Sequence, residues 1–327
     1  MGLKKPFEIK VEPEDNGKRI DTFLAEKFSE ISRSRWKTLI EEKNILINNI
    51  IPKPSQKIHV GDIITGSIPE PSEIELIAEP IPLKIIYEDE YIIVIDKAPN
   101  IVVHPGAGNP SGTIVNALLY HVKNLKGIGG ELRPGVVHRL DKGTSGVMVF
   151  AKDEKSLNHL SYQFKTHQVK KEYIALIFGK MEEEYGTINL PIGRDPINRK
   201  RMKIREEGGR EAITNWIVEE LFKEFSLVKA MPITGRTHQI RTHFSYIGHP
   251  VVGDPLYSSK TKFKQIKNLA VQKALKEFKR QALHAQKLGF THPITNSFLE
   301  FFSPIPEDMN RLISIIRMES EKNDKKS

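Results

Sequence analysis

The groups best suited to chemistry fall together in Gly135-Val-Val-His138-Arg139-Leu140-Asp141-Lys142-Gly143-Thr144-Ser145-Gly146-Val-Met-Val-Phe150. An imidazole, a guanidinium, a carboxylate and an ammonium lie within this one stretch. Arg139 and Lys142 flank Asp141, and nearby cations favour the ionised form of a carboxylate. An ionised carboxylate on a rigid element is a candidate nucleophile or base. Two other readings fail. Gly143-Thr144-Ser145-Gly146 is not a G-x-S-x-G nucleophile elbow, because the serine and second glycine are out of step. His138, Asp141 and Ser145 make a poor triad, since triad partners usually come from separate loops. The plain alternative is a charged strand end with a local ion pair.

Two further stretches carry reactive side chains. Lys171-Glu172-Tyr173-Ile-Ala-Leu holds a tyrosine on an alternating segment. Gly235-Arg236-Thr237-His238-Gln239-Ile240-Arg241 holds two arginines five residues apart, too far round a helix to share one face. His238 and His243 are also five apart, not the i, i+4 pair of a zinc helix. A metal-dependent hydrolase built on His104, His138 and His243 is therefore the weakest reading, and no metal is expected. Gly106-Ala-Gly108-Asn-Pro-Ser-Gly112 is a poor match to G-x-G-x-x-G and no Walker lysine follows, so no nucleotide cofactor is expected.

His138-Arg139-Leu140-Asp141-x-x-Thr144-Ser145-Gly146 closely resembles the signature of the RluA-type pseudouridine synthases. The segments from Ile85 through Gly106, around Tyr173, from Gly235 to Arg241, and from His284 to Pro293 resemble that family's other motifs, in the same order. Together they span about residues 83–305. The resemblance implies isomerisation of uridine to pseudouridine within RNA, without cofactor or redox partner. It makes Asp141 the catalytic carboxylate, acting by direct attack or by stabilising charge. It makes Arg241 its partner, Tyr173 the residue against the target base, and Arg139 the residue that fills the gap left in the base stack. His138, beside Arg139, is counted as an RNA contact. A non-catalytic RNA-binding or ribosome-assembly factor is the rival reading. It need not keep Asp141, Tyr173 and Arg241 together.

Several elements must position these groups. Val136–Val137 and Val147–Phe150 read as short buried strands on either side of Asp141, with Gly143 and Gly146 permitting positive φ between them. Lys171–Phe178 alternates, with Ile174, Leu176 and Phe178 on one face and Tyr173, Ala175 and Ile177 on the other. Tyr91–Asp96 reads as an apolar strand and Thr113–Val122 as a helix. Asp153 caps a helix whose Leu157, Leu160 and Phe164 share a face. Thr237 is expected to open a helix through Arg241 and His243. Lys260–Arg280, with eight basic residues and one acidic, is expected to form a helical surface, and Glu319–Ser327 a frayed tail. Many short strands with a few helices and no regular βαβ alternation argue for an α+β domain with a largely antiparallel mixed sheet.

The first 70 residues form a separate piece, with 12 Lys+Arg against 11 Asp+Glu. Ile20, Phe23, Leu24 and Phe28 fall on one helix face. A second helix is capped by Ser32 or Ser34 and carries Arg33, Arg35 and Lys37 in its first turns. Ile45–Ile47 and Ile63–Ile64 read as strands. This piece resembles the small α-L RNA-binding module of ribosomal proteins and RNA-modifying enzymes. That makes Arg33, Arg35 and Lys37 candidate RNA contacts. Arg199 and Lys200 join them from the basic strand-and-loop segment 194–210, for which a solvated hairpin is the equal alternative. A proline-rich linker is expected over 71–82, the catalytic domain over 83–305, and a helix end and charged tail over 306–327.

The chain has 327 residues, 28% charged and 39% hydrophobic, with a net charge of +9. That balance suits a polyanionic partner. Ribosomal RNA is the expected substrate, with transfer RNA the alternative. There is no cysteine, so neither a disulfide framework nor a thiolate metal site is available. No apolar run approaches a membrane span, and the first residues lack a signal peptide's apolar core. A cytoplasmic monomer is the expectation.

Overall fold

Runs of apolar residues build the two larger sheets of this molecule. The computed structural model describes residues 4–28, 31, 33–69, 76–106, 108–122, 125, 133–258 and 260–324. The chain divides into two compact units, Met1–Glu75 and Leu76–Ser327.

The first unit runs β1 (Lys4–Lys10), α1 (Ile20–Lys27), α2 (Arg33–Glu41), β2 (Ile45–Ile47) and β3 (Ile63–Pro69). Its strands form an antiparallel sheet in the order β1-β3-β2. Ile20, Phe23 and Leu24 of α1 and Trp36, Leu39 and Ile40 of α2 bury their helical faces over Ile45, Ile47 and Ile64. Phe28, just past α1, closes this core with Phe7 and Trp36. Strand β1 has no counterpart in the sequence reading. Its charged, proline-bearing sequence becomes a strand by pairing with β3 at the sheet edge, where proline is tolerated. Ser32, a candidate cap, lies outside the described residues, as do the side chains of Ser34 and Arg35.

The second unit contains β4 (Ile85–Glu88), β5 (Ile92–Lys97), α3 (Ile114–His121), β6 (Ser145–Ala151), α4 (Glu154–Lys165), β7 (Lys170–Phe178), β8 (Tyr185–Asn189) and β9 (Ile192–Arg194). It continues through β10 (Met202–Ile204), β11 (Ile213–Leu221), β12 (Phe225–Pro232), α5 (Gln239–Tyr246), α6 (Lys260–Gln265), α7 (Leu269–Glu277), β13 (Leu283–Thr291), β14 (Phe298–Phe302) and α8 (Glu307–Asp324). Strands β9 and β10 form a separate hairpin, and the rest form one sheet in the order β4-β5-β6-β13-β7-β12-β11-β8. Strand β14 pairs with β13. Every pairing in this sheet is antiparallel except β6 with β13, so the fold is α+β with a mostly antiparallel sheet.

Both faces of the sheet are covered at its centre. Ile93, Ile95, Met148 and Phe150 meet Leu118 of α3, while Ile92, Val94, Val147 and Val149 meet Leu157 and Leu160 of α4. Each such side chain contributes roughly 1.5–3 kcal/mol by leaving water. This two-sided burial makes β6 a rigid base for the loop that precedes it. Gly146 is where β6 meets β13. Its φ is +119°, and a Cβ there would run into the Ala285 backbone carbonyl.

Several elements depart from the sequence reading. Val136 makes only an isolated bridge to Phe150, so the run before Asp141 is a pinned loop rather than a strand. Gly143 does not take positive φ; it is small because Gln281 packs against it. Residues 76–82 are extended, as the prolines dictate, yet they are docked on α3. The Asn116 amide donates to the Ile77 carbonyl, and the Glu79 amide donates to the Asn116 carbonyl. The second compact unit begins at Leu76 and so includes residues 76–82. At the other end, α8 runs to Asp324 and buries Met309, Leu312, Ile313 and Ile316 in the core. Of the expected frayed tail, Glu319–Asp324 continue this helix, with the Asn268 amide donating to Glu319 Oε2 at 2.8 Å, and 325–327 lie outside the described residues.

Candidate active site

Asp141 sits in the loop four residues before β6, with Leu140 buried beneath it and only 19% of the aspartate side chain exposed. The loop is fixed by its carbonyls and by Thr144. The Thr144 amide donates to the Asp141 carbonyl at 3.0 Å. The Lys142 carbonyl accepts from the Asn100 amide at 2.7 Å and from Lys97 Nζ at 3.3 Å. Lys97, which closes β5, also donates to the carbonyls of Ala98 and Ile101. Burial pulls its ammonium down to about 7, with Asp141 opposing that shift and Arg280 adding to it. Arg280 donates to the Gly143 carbonyl and is itself gripped through two N–H groups by Asp308, in the first turn of α8. Gln281 donates to Thr144 Oγ1. Arg280, expected on a basic surface, is therefore buried and structural.

The cation that meets Asp141 comes from 100 residues away. Arg241 Nη1 donates to Asp141 Oδ2 at 2.7 Å. The adjacent Arg139 and Lys142, expected from spacing to serve, make no ion pair with it among the described residues. Arg241 is held from behind by Asp254, whose two oxygens accept from Nε at 2.6 Å and Nη2 at 2.9 Å. Asp254 also accepts from the Leu256 and Tyr257 amides. A bidentate fork of this kind fixes the guanidinium plane. Burial alone would lower the Arg241 pKa, but Asp254 and then Asp141 raise it, so the side chain stays charged. The Tyr257 ring lies 5.2 Å from the guanidinium carbon.

His238 is the helix cap of α5, with φ 55°. The helix thus starts at Gln239, two residues later than the sequence indicates, because His238 takes a left-handed turn. Its Nε2 lies 3.8 Å from Asp141 Oδ1, and its Nδ1 lies 3.0 Å from the Tyr257 hydroxyl. Desolvation lowers its pKa, so the ring is neutral near pH 7.

A cavity of about 410 Å³ opens in front of Asp141 and Arg241, with Tyr173, Arg139 and Lys171 in its wall. Tyr173 stands on β7 between two alanines, Ala230 of β12 and Ala285 of β13, which leave room for its ring. Desolvation, then the Asp141 charge, raises the pKa of its phenol, which stays neutral. Burial brings the Lys171 ammonium down to about 8, although it donates to the Ile233 and Thr234 carbonyls. Arg139 is exposed at the rim.

His138 does not fit an electrostatic RNA contact. Its ring stacks on Phe164 at 4.5 Å, and its Nε2 accepts from the Val149 amide. Burial, with Lys171 nearby, lowers its pKa to about 3, so it carries no charge. His243 is bonded to Thr214 and to the Leu190 carbonyl, which gives it a packing role. Of the candidate contacts in the first unit, Arg33 donates twice to Asp21 at 3.2 Å and Lys37 lies 3.7 Å from Glu41; both side chains remain more than half exposed. Arg199 and Lys200 are exposed on the loop between β9 and β10. That hairpin is tied to the site where the Met202 amide donates to the Tyr257 hydroxyl at 2.7 Å.

The sequence reading missed Asp254, Tyr257, Lys97 and the Arg280–Gln281 pair. Gly253-Asp254-Pro255 carries an Asx-turn signal, but a turn aspartate does not announce an arginine partner.

Asp141, clamped by the buried Arg241, and Tyr173 thus line one cavity. The chain matches the RNA pseudouridylate synthase model over residues 91–246 and the S4 domain model over residues 18–64. An uncharacterized RNA pseudouridine synthase of Bacillus subtilis is 39% identical over 95% of this chain and 98% of its own length. The ribosomal large subunit pseudouridine synthase D of Xanthomonas campestris is 40% identical over 93% of this chain and 90% of its own. A solved structure of human RNA pseudouridylate synthase domain containing 4 superposes with a TM-score of 0.57 at 27% identity, over 72% of this chain and 93% of that one. The chain belongs to the RNA pseudouridylate synthase family, and it carries an S4 domain at its N-terminal end.

Proposed function

We propose that this enzyme isomerises specific uridines of large-subunit ribosomal RNA, with Asp141, Tyr173 and Arg241 as its catalytic set. The observation that carries the reading is the 2.7 Å contact of Arg241 with Asp141 Oδ2 in the wall of a cavity that Tyr173 also lines. The glycosidic C–N bond breaks, the uracil turns, and a C–C bond forms at ring carbon five. That carbon loses a proton and the freed nitrogen gains one, so atoms and electrons balance without redox chemistry. Asp141 assists departure of the base from the sugar, by attack on the sugar or by stabilising charge on it. Arg241 keeps the carboxylate ionised and aimed. In this reading the Tyr173 ring packs on uracil and its hydroxyl relays the proton.

The target base leaves its stack at a cost of a few kcal/mol. Arg139, exposed at the rim, fills the vacated position with its planar guanidinium. Arg33, Arg35 and Lys37 of the S4 unit and Arg199 and Lys200 of the hairpin bear on phosphates, which suits the net charge of +9. The ribosomal substrate rests on the S4 domain and on the name of the Xanthomonas relative. No helix among the described residues is long and apolar enough to cross a membrane. A cysteine-free monomer acting on ribosomal RNA works in the reducing cytoplasm.

Pseudouridine mapping in cells with and without the gene tests this reading. Specific ribosomal positions disappear without it, return with the wild-type chain, and stay absent with Asp141→Asn. Loss confined to transfer RNA would replace the substrate class, and full restoration by Asp141→Asn would end the mechanism.

A further inference from the structure

Arg241 grips one oxygen of Asp141; the group beside the other is His238, whose place on α5 the helix does not explain. His238 is the N-cap, where Ser, Thr, Asp and Asn are preferred because their side chains accept a backbone N–H. The His238 side chain makes no capping bond. Its φ of 55° lies in the left-handed region, which glycine enters freely and asparagine readily. The backbone here gives no reason for an imidazole.

The surroundings of the ring do. His238 is 16% exposed, with Nε2 3.8 Å from Asp141 Oδ1 and Nδ1 3.0 Å from the Tyr257 hydroxyl. The Tyr257 oxygen accepts from the Met202 amide at 2.7 Å. The buried Tyr257 ring lies 5.0 Å from the Arg201 guanidinium and 5.2 Å from that of Arg241. A neutral imidazole carries one N–H and one lone pair. A proton on Nδ1 would turn the Nε2 lone pair toward a carboxylate. A proton on Nε2 turns an N–H toward it instead, and is favoured. Nδ1 then accepts from the Tyr257 hydroxyl. Donors thus run one way, from the Met202 amide through Tyr257 to His238 and on toward Asp141. At 3.8 Å the last step is too long for a hydrogen bond. Oδ1 therefore keeps its lone pairs for chemistry, while the N–H dipole biases the direction in which the carboxylate turns.

We propose that His238 is a positioning residue for Asp141, with Tyr257 selecting the tautomer that turns Nε2–H toward Oδ1. This rests on the proposed catalytic role of Asp141.

The test is single-turnover kinetics of the full-length protein on RNA carrying the mapped uridine, comparing His238→Gln with His238→Asn. The longer amide can place an N–H where Nε2–H stands; the shorter one reaches only as far as Nδ1. The shorter one suits a left-handed N-cap better. Opposite orders are therefore expected. His238→Asn melts at least as high as His238→Gln, yet its rate falls about 10²-fold, while His238→Gln stays within about tenfold of wild type. KM for RNA holds in both. Tyr257→Phe keeps the ring beside both guanidiniums and removes the O–H. It lowers the wild-type rate about tenfold, the scale of one hydrogen bond. It adds little to His238→Gln, which has no tautomer to select. Equal rates for the two His238 variants, a faster His238→Asn, a loss carried by KM alone, or losses that multiply in the Tyr257→Phe double variant overturn the positioning role and leave the main activity standing. No conversion by wild type overturns both.

Discussion

Asp21 in the S4 unit and Asp141 in the catalytic unit are both held by arginine. Asp21 is 4% exposed and receives Arg19 and Arg33, each through two N–H groups. Burial would raise its pKa, but the two arginines lower it. Both arginines reach in from solvent, and both Asp21 oxygens are occupied. Asp141 receives one N–H on one oxygen, its other oxygen lies 3.8 Å from His238 Nε2, and the residue lines a cavity. Its arginine is buried and held in turn by Asp254, whose side chain is wholly inaccessible. The same residue pair thus serves cohesion in one unit and, in the proposed function, reactivity in the other. What differs is which partner is buried. A buried aspartate with exposed arginines is a staple. A buried arginine with a part-exposed aspartate aims that aspartate outward.

The contrast can be broken in four places. Asp254→Asn removes the support behind Arg241 and leaves a buried guanidinium half-paired. It should destabilise the catalytic unit by about 3–5 kcal/mol, read from urea unfolding, and turnover should fall with it. An unchanged midpoint would mean that Arg241 stands without its brace. Tyr173→Phe probes the open side of Asp141. It keeps the ring and removes the hydroxyl, and should lower single-turnover rate about 10²-fold with folding intact. Full turnover in this variant would confine Tyr173 to packing.

Asp21→Asn should cost about 1–3 kcal/mol, less than Asp254→Asn, because its arginines can turn to water. The loss belongs to the S4 unit, so KM for RNA rises while turnover at saturating RNA holds. The folded pKa of Asp21 is depressed, so its contribution is present above about 3.8 and fades as acid protonates it. The effect that is smallest at neutral pH concerns His138. Its pKa is about 3 when folded against 6.5 when free. Between those values the unfolded chain takes up a proton that the folded chain refuses, so stability falls as pH drops through that window. His138→Gln keeps an acceptor for the Val149 amide but does not titrate. Its denaturation midpoint should fall less steeply than wild type from pH 6.5 downward.

Local order was well marked in the residues. The α1 face through Phe23 and Leu24, the Asp153 cap, the apolar strand at Ile92 and the alternation leading from Tyr173 all follow from helical or twofold spacing, which is encoded by neighbours in the chain. The same is true of the motif carrying Asp141. Elements that exist only through a distant partner were hidden. Strand β1 needs β3, residues 76–82 need Asn116, and the end of α8 needs the core it covers.

The amino-acid sequence by itself determined the family and the α+β class and singled out the three side chains proposed for catalysis, because motif spacing and hydrophobic period are local and survive without a fold. Only the tertiary structure decided that Asp254 and Arg280 brace the site from behind and that His138 stacks, uncharged, on Phe164. Those outcomes depend on burial and on contacts between residues far apart in the chain, as Arg241 and Asp141 are. A charge in a sequence carries no label for how much water it keeps, and that sets its work.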